Sequence, residues 1–384
     1  MSIINPSGKF RKQILSHLMT WYEGHGRSLP WRKSSDPYHV WLSEVMLQQT
    51  RVDTVIPYYL RFLSRFPDVK TLAEAPLEEV LKTWENLGYY RRAHNLHQAA
   101  GTIMARFGAR IPETMDDLTA LPGVGSYTAA AILSIAFGEA VAAVDGNIRR
   151  VICRLFAITD APEAPAVQKR ILADAQSLMP TDGRAGSFNQ ALMDLGAVVC
   201  TPRAPHCDSC PIRCECLARA QGMEDVLPLK TKRRAIPQRQ GVAGILKDHQ
   251  GRVLIVQRPE QGLLASLWKF PGGMIEADES PEAGLKRTMK DELGICVKPE
   301  FPVAMIKHAY THFRLTLHVW SCRHQNGTAK ALRCQKWKWV TPDRLASLPF
   351  SKADGMVISS VPGLAARDQD ASHRKRRRVA AAVS

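Results

Sequence analysis

Through the first 225 or so residues, apolar side chains recur at helical spacing. Leu77 to Asn86, Ala93 to Phe107, Thr128 to Phe137 and Val167 to Leu178 each carry an apolar stripe, joined by short polar connections, and predict successive amphipathic helices. Asp36-Pro37 is a helix start, because Asp can cap free amides and Pro fits the first turn, so Tyr38 to Thr50 reads as one helix. From Gly241 the period changes. Val242 to Leu246 and Val253 to Val256 are β-type runs separated by the turn-rich Lys-Asp-His-Gln-Gly. A helix follows Pro281 with Leu285, Met289 and Leu293 in phase, and Phe313, Leu315, Leu317 and Val319 alternate as a half-buried strand. The pattern predicts an all-α domain over 1–225 and an α+β domain over 241–363. Between them, 226–240 reads as a linker: Pro228 and Pro237 bracket the basic Lys230 to Arg234. Residues 364–384 read as a disordered basic tail.

With 384 residues, of which 45% are hydrophobic and 23% charged, the chain has an ordinary globular composition and length for two or three domains. No stretch approaches the roughly 20 apolar residues of a membrane span, so no membrane partner is expected. Met1 to Phe10 has no apolar run ahead of a cleavage site, which points to the cytoplasm and a reducing compartment. A monomer is expected. The net charge of +16 points to a polyanionic partner, but more than half of it lies in the linker and tail. Charge alone therefore agrees with nucleic acid without establishing it. The tail run Arg374 to Arg378 is open to two readings, a DNA contact or a solvated end.

Four of the nine cysteines, Cys200, Cys207, Cys210 and Cys216, are spaced C-x6-C-x2-C-x5-C. Four thiolates in one loop suit a 4Fe-4S cluster or zinc; structural zinc sites usually pair two tight knuckles, and only one C-x2-C is present, which favours iron-sulfur. On spacing alone Cys214 could replace Cys216. The other cysteines, Cys153 among them, read as buried apolar fillers.

Leu121-Pro122-Gly123-Val124-Gly125 lies between a helix containing Asp116 to Ala120 and another beginning near Ser126. Glycines one residue apart let amides face outward beside a helix N-terminus, which makes an anion site; the plainer alternative is a tight helix-helix turn. Glu44 shares a helical stripe with Val40 and Leu47, where desolvation would raise its pKa and keep a proton available; the alternative is a surface glutamate. Asp145, in Val144-Asp145-Gly146-Asn147 ahead of a helical run, can be a helix cap, a carboxylate facing a developing cation, or both.

Taken together, LPGVG-x-x-T-A, the cysteine spacing and Ser43-Glu44-Val45-Met46-Leu47-Gln48-Gln49-Thr50 resemble the helix-hairpin-helix DNA glycosylases of the endonuclease III and MutY superfamily, and the last string resembles the MutY signature. The resemblance implies that an all-α glycosylase domain with a 4Fe-4S loop over 200–216 precedes an α+β Nudix-like domain. It implies that the enzyme flips and hydrolytically removes adenine opposite 8-oxoguanine or guanine in double-stranded DNA, in base-excision repair. Glu44 would protonate the base; Asp145, with Asn147 beside it, would stabilise the oxocarbenium-like sugar. Cys216 would be the fourth cluster ligand, and the loop would dock DNA without bond chemistry at iron. Tyr127 stands where strand-cleaving relatives carry a Schiff-base lysine, so the abasic strand should stay intact. Leu121, Gly123, Val124 and Gly125 would hold a phosphate, Gln48 and Tyr89 would wedge into the stack, and Arg32 and Gln190 would touch the purine edge. Core packing is the alternative for Tyr89, and satisfaction of backbone groups for Gln190.

Gly273 to Ile295 resembles a Nudix box through Gly273, Glu279, Arg287, Glu292 and Gly294, although Thr288 replaces one carboxylate and Asp291 another. Tyr310-Thr311-His312 resembles the Phe-Ser-His loop that recognises 8-oxoguanine, the alternative being the mere start of a strand. Two other functions remain open: a Nudix pyrophosphatase that uses magnesium to cleave oxidised nucleotides, fused to a DNA-binding module, and a catalytically silent DNA-binding protein with a redox-sensing cluster. Thr288 counts against the first, Glu44 with Asp145 against the second.

Overall fold

The computed structural model describes residues 8–229 and 236–365. Lys230 to Arg234 and the predicted tail from residue 366 lie outside them. Contacts divide the chain into two compact units: one takes the chain as far as Glu74 together with Asn95–Arg233, the other Ala75–His94 together with the chain from Arg234. The second unit thus includes a segment, 75–94, that helical periodicity alone assigns to the first domain.

In chain order the α-helices up to residue 229 are α1 (Gly8–His25), α2 (Pro37–Leu47), α3 (Val52–Arg65), α4 (Val69–Glu74), α5 (Leu77–Thr83), α6 (Arg91–Phe107), α7 (Met115–Thr119), α8 (Ser126–Ala136), α9 (Gly146–Leu155), α10 (Pro165–Ser177), α11 (Ala185–Asp194) and α12 (Leu217–Ala220). Ile14 and Leu18 of α1, Ile148 and Ile152 of α9, Ile171 of α10 and Phe188 and Leu192 of α11 close one hydrophobic core. Each such side chain contributes roughly 1.5–3 kcal/mol by leaving water.

Helix α2 packs against α3 and α8, and every residue from Val40 to Met46 is buried, Glu44 included. A helix with no solvent face leaves its one carboxylate nowhere to go. Asp36 caps α2 through the amides of Tyr38 and His39, as its sequence predicts. The helix ends at Leu47 rather than Thr50, because Gln48-Gln49-Thr50 offers no apolar face: Gln48 turns to ψ 112° and Gln49 to φ 58°.

The second unit holds β1 (Gln238–Leu246), β2 (Val253–Gln257), β3 (Trp268–Lys269), β4 (Gly272–Met274), β5 (Cys296–Ala309), β6 (Arg314–Asn326) and β7 (Lys336–Val340), with α13 (Pro281–Leu293), α14 (Pro342–Leu345) and α15 (Lys352–Ser360). One sheet runs β4-β1-β6-β5, with β1 and β6 parallel, and the other β3-β2-β7. Leu285, Met289 and Leu293 of α13 pack on Val242, Leu246, Leu254 and Val256. Leu315, Leu317 and Val319 face the other core with Ala353 and Val357 of α15, so the period-2 alternation holds. Strand β1 starts at Gln238, inside the stretch read as linker, and Leu364, assigned to the tail, is fully buried. Among the described residues no helix is long and apolar enough to cross a membrane.

Candidate active site

Glu44 is 5% exposed, and burial pushes its carboxyl up to about 7. Against that push the Tyr127 hydroxyl donates to Glu44 Oε2 at 2.6 Å, while Asp145 adds a further upward effect and Arg32 a small downward one. Tyr127 comes from the first turn of α8 and is itself shifted upward by burial and by Glu44. The arrangement is a desolvated carboxyl that carries a proton near neutral pH, which is what a general acid requires.

Asp145 is the N-cap of α9 and accepts from Ile148 N at 2.7 Å, while the Asn147 amide donates to its other oxygen at 3.0 Å. Burial raises its pKa; those donors oppose the rise. Both sequence readings of Asp145, cap and facing carboxylate, are therefore geometrically compatible. Arg150 Nη2 then grips Asn147 Oδ1 at 2.9 Å and Gly196 O at 2.6 Å, with Nε on Cys200 O at 2.7 Å. Arg154 donates to Cys200 Sγ at 3.2 Å and to the carbonyls of Thr201 and Leu227. Neither arginine stands out in the sequence, since both are merely basic positions on an amphipathic helix.

Arg32 is committed to protein. Its guanidinium forks onto Asp194 at 2.7 and 2.9 Å, and Arg27 Nε joins at 2.7 Å. Burial pushes Asp194 up, but the two arginines outweigh it and hold its carboxyl below the ordinary range. Gln190, one turn before Asp194 on α11, accepts from Tyr22 at 3.3 Å. Gln48 donates to Thr128 at 3.4 Å. In the hairpin, Gly123 takes φ +77°, where L side chains are strained, and a Cβ there would meet Asn95 at 2.6 Å. Gly125 begins α8 with no side-chain cap, so amides of that helix end are left to another acceptor. Leu121 and Val124 point into the core, which leaves their backbone as the part available to a phosphate.

The thiols of Cys200, Cys207, Cys210 and Cys216 line one cavity, together with Arg154, Arg213 and Arg219. Cys214 is exposed and absent from that lining. Yet no three His, Cys, Asp or Glu groups among the described residues are placed to grip a single metal ion. Four thiols round a shared space are a donor set of the kind a 4Fe-4S cluster uses. Cys153, Cys322 and Cys334 are buried fillers as predicted, whereas Cys296 is half-buried.

In the second unit Tyr89 follows Gly88 into the left-handed region, at φ +47° and +80°, a strained conformation for an aromatic residue, and the residue is 36% exposed. Arg92 lies 5.4 Å from its ring centroid, and the Tyr89 hydroxyl meets Thr311 Oγ1 at 2.6 Å. Tyr310 is packed edge-on to His308 and near Phe313, while Thr311 and His312 are exposed. In the Nudix-like motif Glu279 is forked by Arg287, and Glu292 is buried against Lys269. Thr288 turns its hydroxyl to Leu285 O.

Residues 42–174 match the model of the HhH-GPD superfamily base excision DNA repair proteins, and residues 242–360 that of the NUDIX domain. The adenine DNA glycosylase of Homo sapiens is 34% identical, with 90% of this chain and 73% of its own length covered. That of Mycolicibacterium smegmatis is 39% identical over 63% of this chain and 79% of its own. Among solved structures, a thermostable thymine-DNA glycosylase superposes with a TM-score of 0.52 at 31% identity, covering 56% of this chain and 99% of its own. The chain belongs to the adenine DNA glycosylases, with a helical HhH-GPD fold followed by a Nudix-like unit.

Proposed function

We propose that this enzyme, acting as a monomer on double-stranded DNA, hydrolytically removes adenine mispaired with 8-oxoguanine or guanine. The observation that carries the reading is Glu44, buried on α2, raised to about 7 and bonded by Tyr127. Its proton goes to the flipped purine, the glycosidic electron pair leaves with the base, and water adds at the sugar carbon. A proton from that water restores Glu44. Asp145, oriented by Asn147 and the α9 amides, stabilises the cationic sugar electrostatically. Tyr127 offers a phenol where a Schiff base would need an amine, so the abasic strand stays intact.

Cys200, Cys207, Cys210 and Cys216 would hold a 4Fe-4S cluster, which would brace the loop against DNA and supply no bond chemistry. The glycine hairpin would bind a phosphate, Gln48 and Tyr89 would fill the gap left by adenine, and Gln190 would meet its edge; Arg32 would act through Asp194, which fixes its head. Tyr310, Thr311 and His312 would read 8-oxoguanine, and the Tyr89 to Thr311 hydrogen bond supports a shared role for those two. With Thr288 in place of a carboxylate, the second unit hydrolyses nothing.

Duplexes with one adenine opposite 8-oxoguanine, guanine or thymine, analysed before and after alkali, test this. Adenine release opposite the first two, with strand breaks after alkali alone and no borohydride-trapped adduct, is expected. Direct strand cleavage or efficient trapping contradicts it.

A further inference from the structure

The second unit sets a lysine against the buried carboxylate of its Nudix-like motif. Lys269 on β3 and Glu292 on α13 are each 8% exposed. The Lys269 ammonium lies 2.8 Å from Glu292 Oε1 and 2.9 Å from Oε2, and donates to the Gly272 carbonyl as well. Gly272 N donates back to Oε2 at 3.1 Å. That carbonyl is fixed in place: Gly272 has φ +144°, and a Cβ there would lie 2.2 Å from Val242 O. A carboxylate converging with a backbone carbonyl is an oxygen set suited to a hard divalent cation. Here three ammonium protons fill it instead.

Two further acidic positions are also engaged. Glu279 is forked by Arg287 at 2.7 and 2.8 Å, and Asp291 lies 3.3 Å from Arg333. We propose that the Lys269 ammonium occupies the cation seat of this motif, a built-in replacement for a divalent ion that ties β3, the Gly272 turn and α13 together without metal. This goes beyond the absence of hydrolysis, which rests on Thr288, because a unit lacking one carboxylate could still bind metal.

The test uses full-length chain and manganese, followed by electron paramagnetic resonance and by Tm. Wild type and Thr288→Glu should take up no manganese, and their Tm should be the same in EDTA and in millimolar manganese. Lys269→Met/Thr288→Glu should take up one ion per chain and gain several degrees of Tm with it. Should that double variant fold poorly, Lys269→Met alone should lose several degrees in EDTA and regain at least half with manganese, while Lys269→Met/Glu292→Gln should be near wild type and blind to metal. Manganese uptake by Thr288→Glu equal to that of the double variant overturns the proposal, as does no response to manganese in any Lys269→Met variant. Uptake by wild type without pyrophosphate release from nucleotides would refute the internal cation and leave the non-hydrolytic reading standing.

Discussion

Each unit buries a glutamate on a helix, Glu44 on α2 at 5% exposure and Glu292 on α13 at 8%. Their partners differ. Glu44 meets the phenol of Tyr127, which donates one hydrogen bond and brings no charge; Glu292 meets the ammonium of Lys269, whose charge matches its own. A carboxylate buried beside a neutral donor stays costly when ionised and keeps a proton to give away. One buried beside an ammonium has its charge balanced by an ion pair. On the proposed function, burial alone does not make an acid: the charge of the partner separates a group able to give up a proton from one that ties elements of the fold together.

The largest expected effect is on turnover. Glu44→Gln removes the transferable proton and should cut single-turnover base release at least about 100-fold, the usual worth of a general acid, with mismatch binding retained. Asp145→Asn should do likewise. Rates within threefold of wild type for either variant would break the assignment.

Stability should separate the two glutamates by sign. Glu292→Gln leaves the Lys269 charge buried and unpaired and should cost about 3–5 kcal/mol in denaturant unfolding at pH 8. Glu44→Gln should do the reverse. Because the folded pKa of Glu44 lies above its unfolded value, wild type loses stability as pH rises from about 4.5 to about 7. The glutamine variant lacks that loss, and so should gain about 3 kcal/mol over wild type at pH 8 and almost nothing at pH 4. Equal effects of the two substitutions at pH 8 would erase the distinction.

The smallest effect concerns the Tyr89 to Thr311 contact. Thr311→Val should lower the preference for 8-oxoguanine over guanine by roughly tenfold, about the 1.4 kcal/mol of one hydrogen bond. A preference unchanged in that variant would detach Thr311 from lesion reading. Point substitution is the sharper tool, since truncation near Asp225 would leave the buried Leu81 and Trp84 without the unit they pack in and would remove the Leu227 carbonyl that Arg154 holds.

Much of this was legible in the sequence where a local pattern forces a local structure. The Asp36-Pro37 start, the cap at Asp145, the helix start at Pro281, the Leu285-Met289-Leu293 stripe and the alternation in β6 all depend on residues close in the chain. What escaped depends on partners distant in sequence. Asp194 clamps Arg32 from 162 residues away, Lys269 meets Glu292 across a turn and a helix, and Ala75–His94 joins a unit whose other residues begin 140 positions later. Local periodicity carries no trace of such pairings. Lys269, in the string Trp268-Lys269-Phe270-Pro271-Gly272-Gly273 just ahead of the Nudix-like box, was the one signal within reach, a cation at the door of an acidic motif.

The central claim is that Glu44 acts as a protonated acid with a pKa near 7, and the direct test is single-turnover adenine release measured from pH 5.5 to 9 on one saturating duplex. The protonated fraction falls tenfold per pH unit above that value, so the rate should be level at low pH, bend near 7 and decline with unit slope beyond it. A rate that stays level to pH 9, or that rises through 7 with increasing pH, would contradict it.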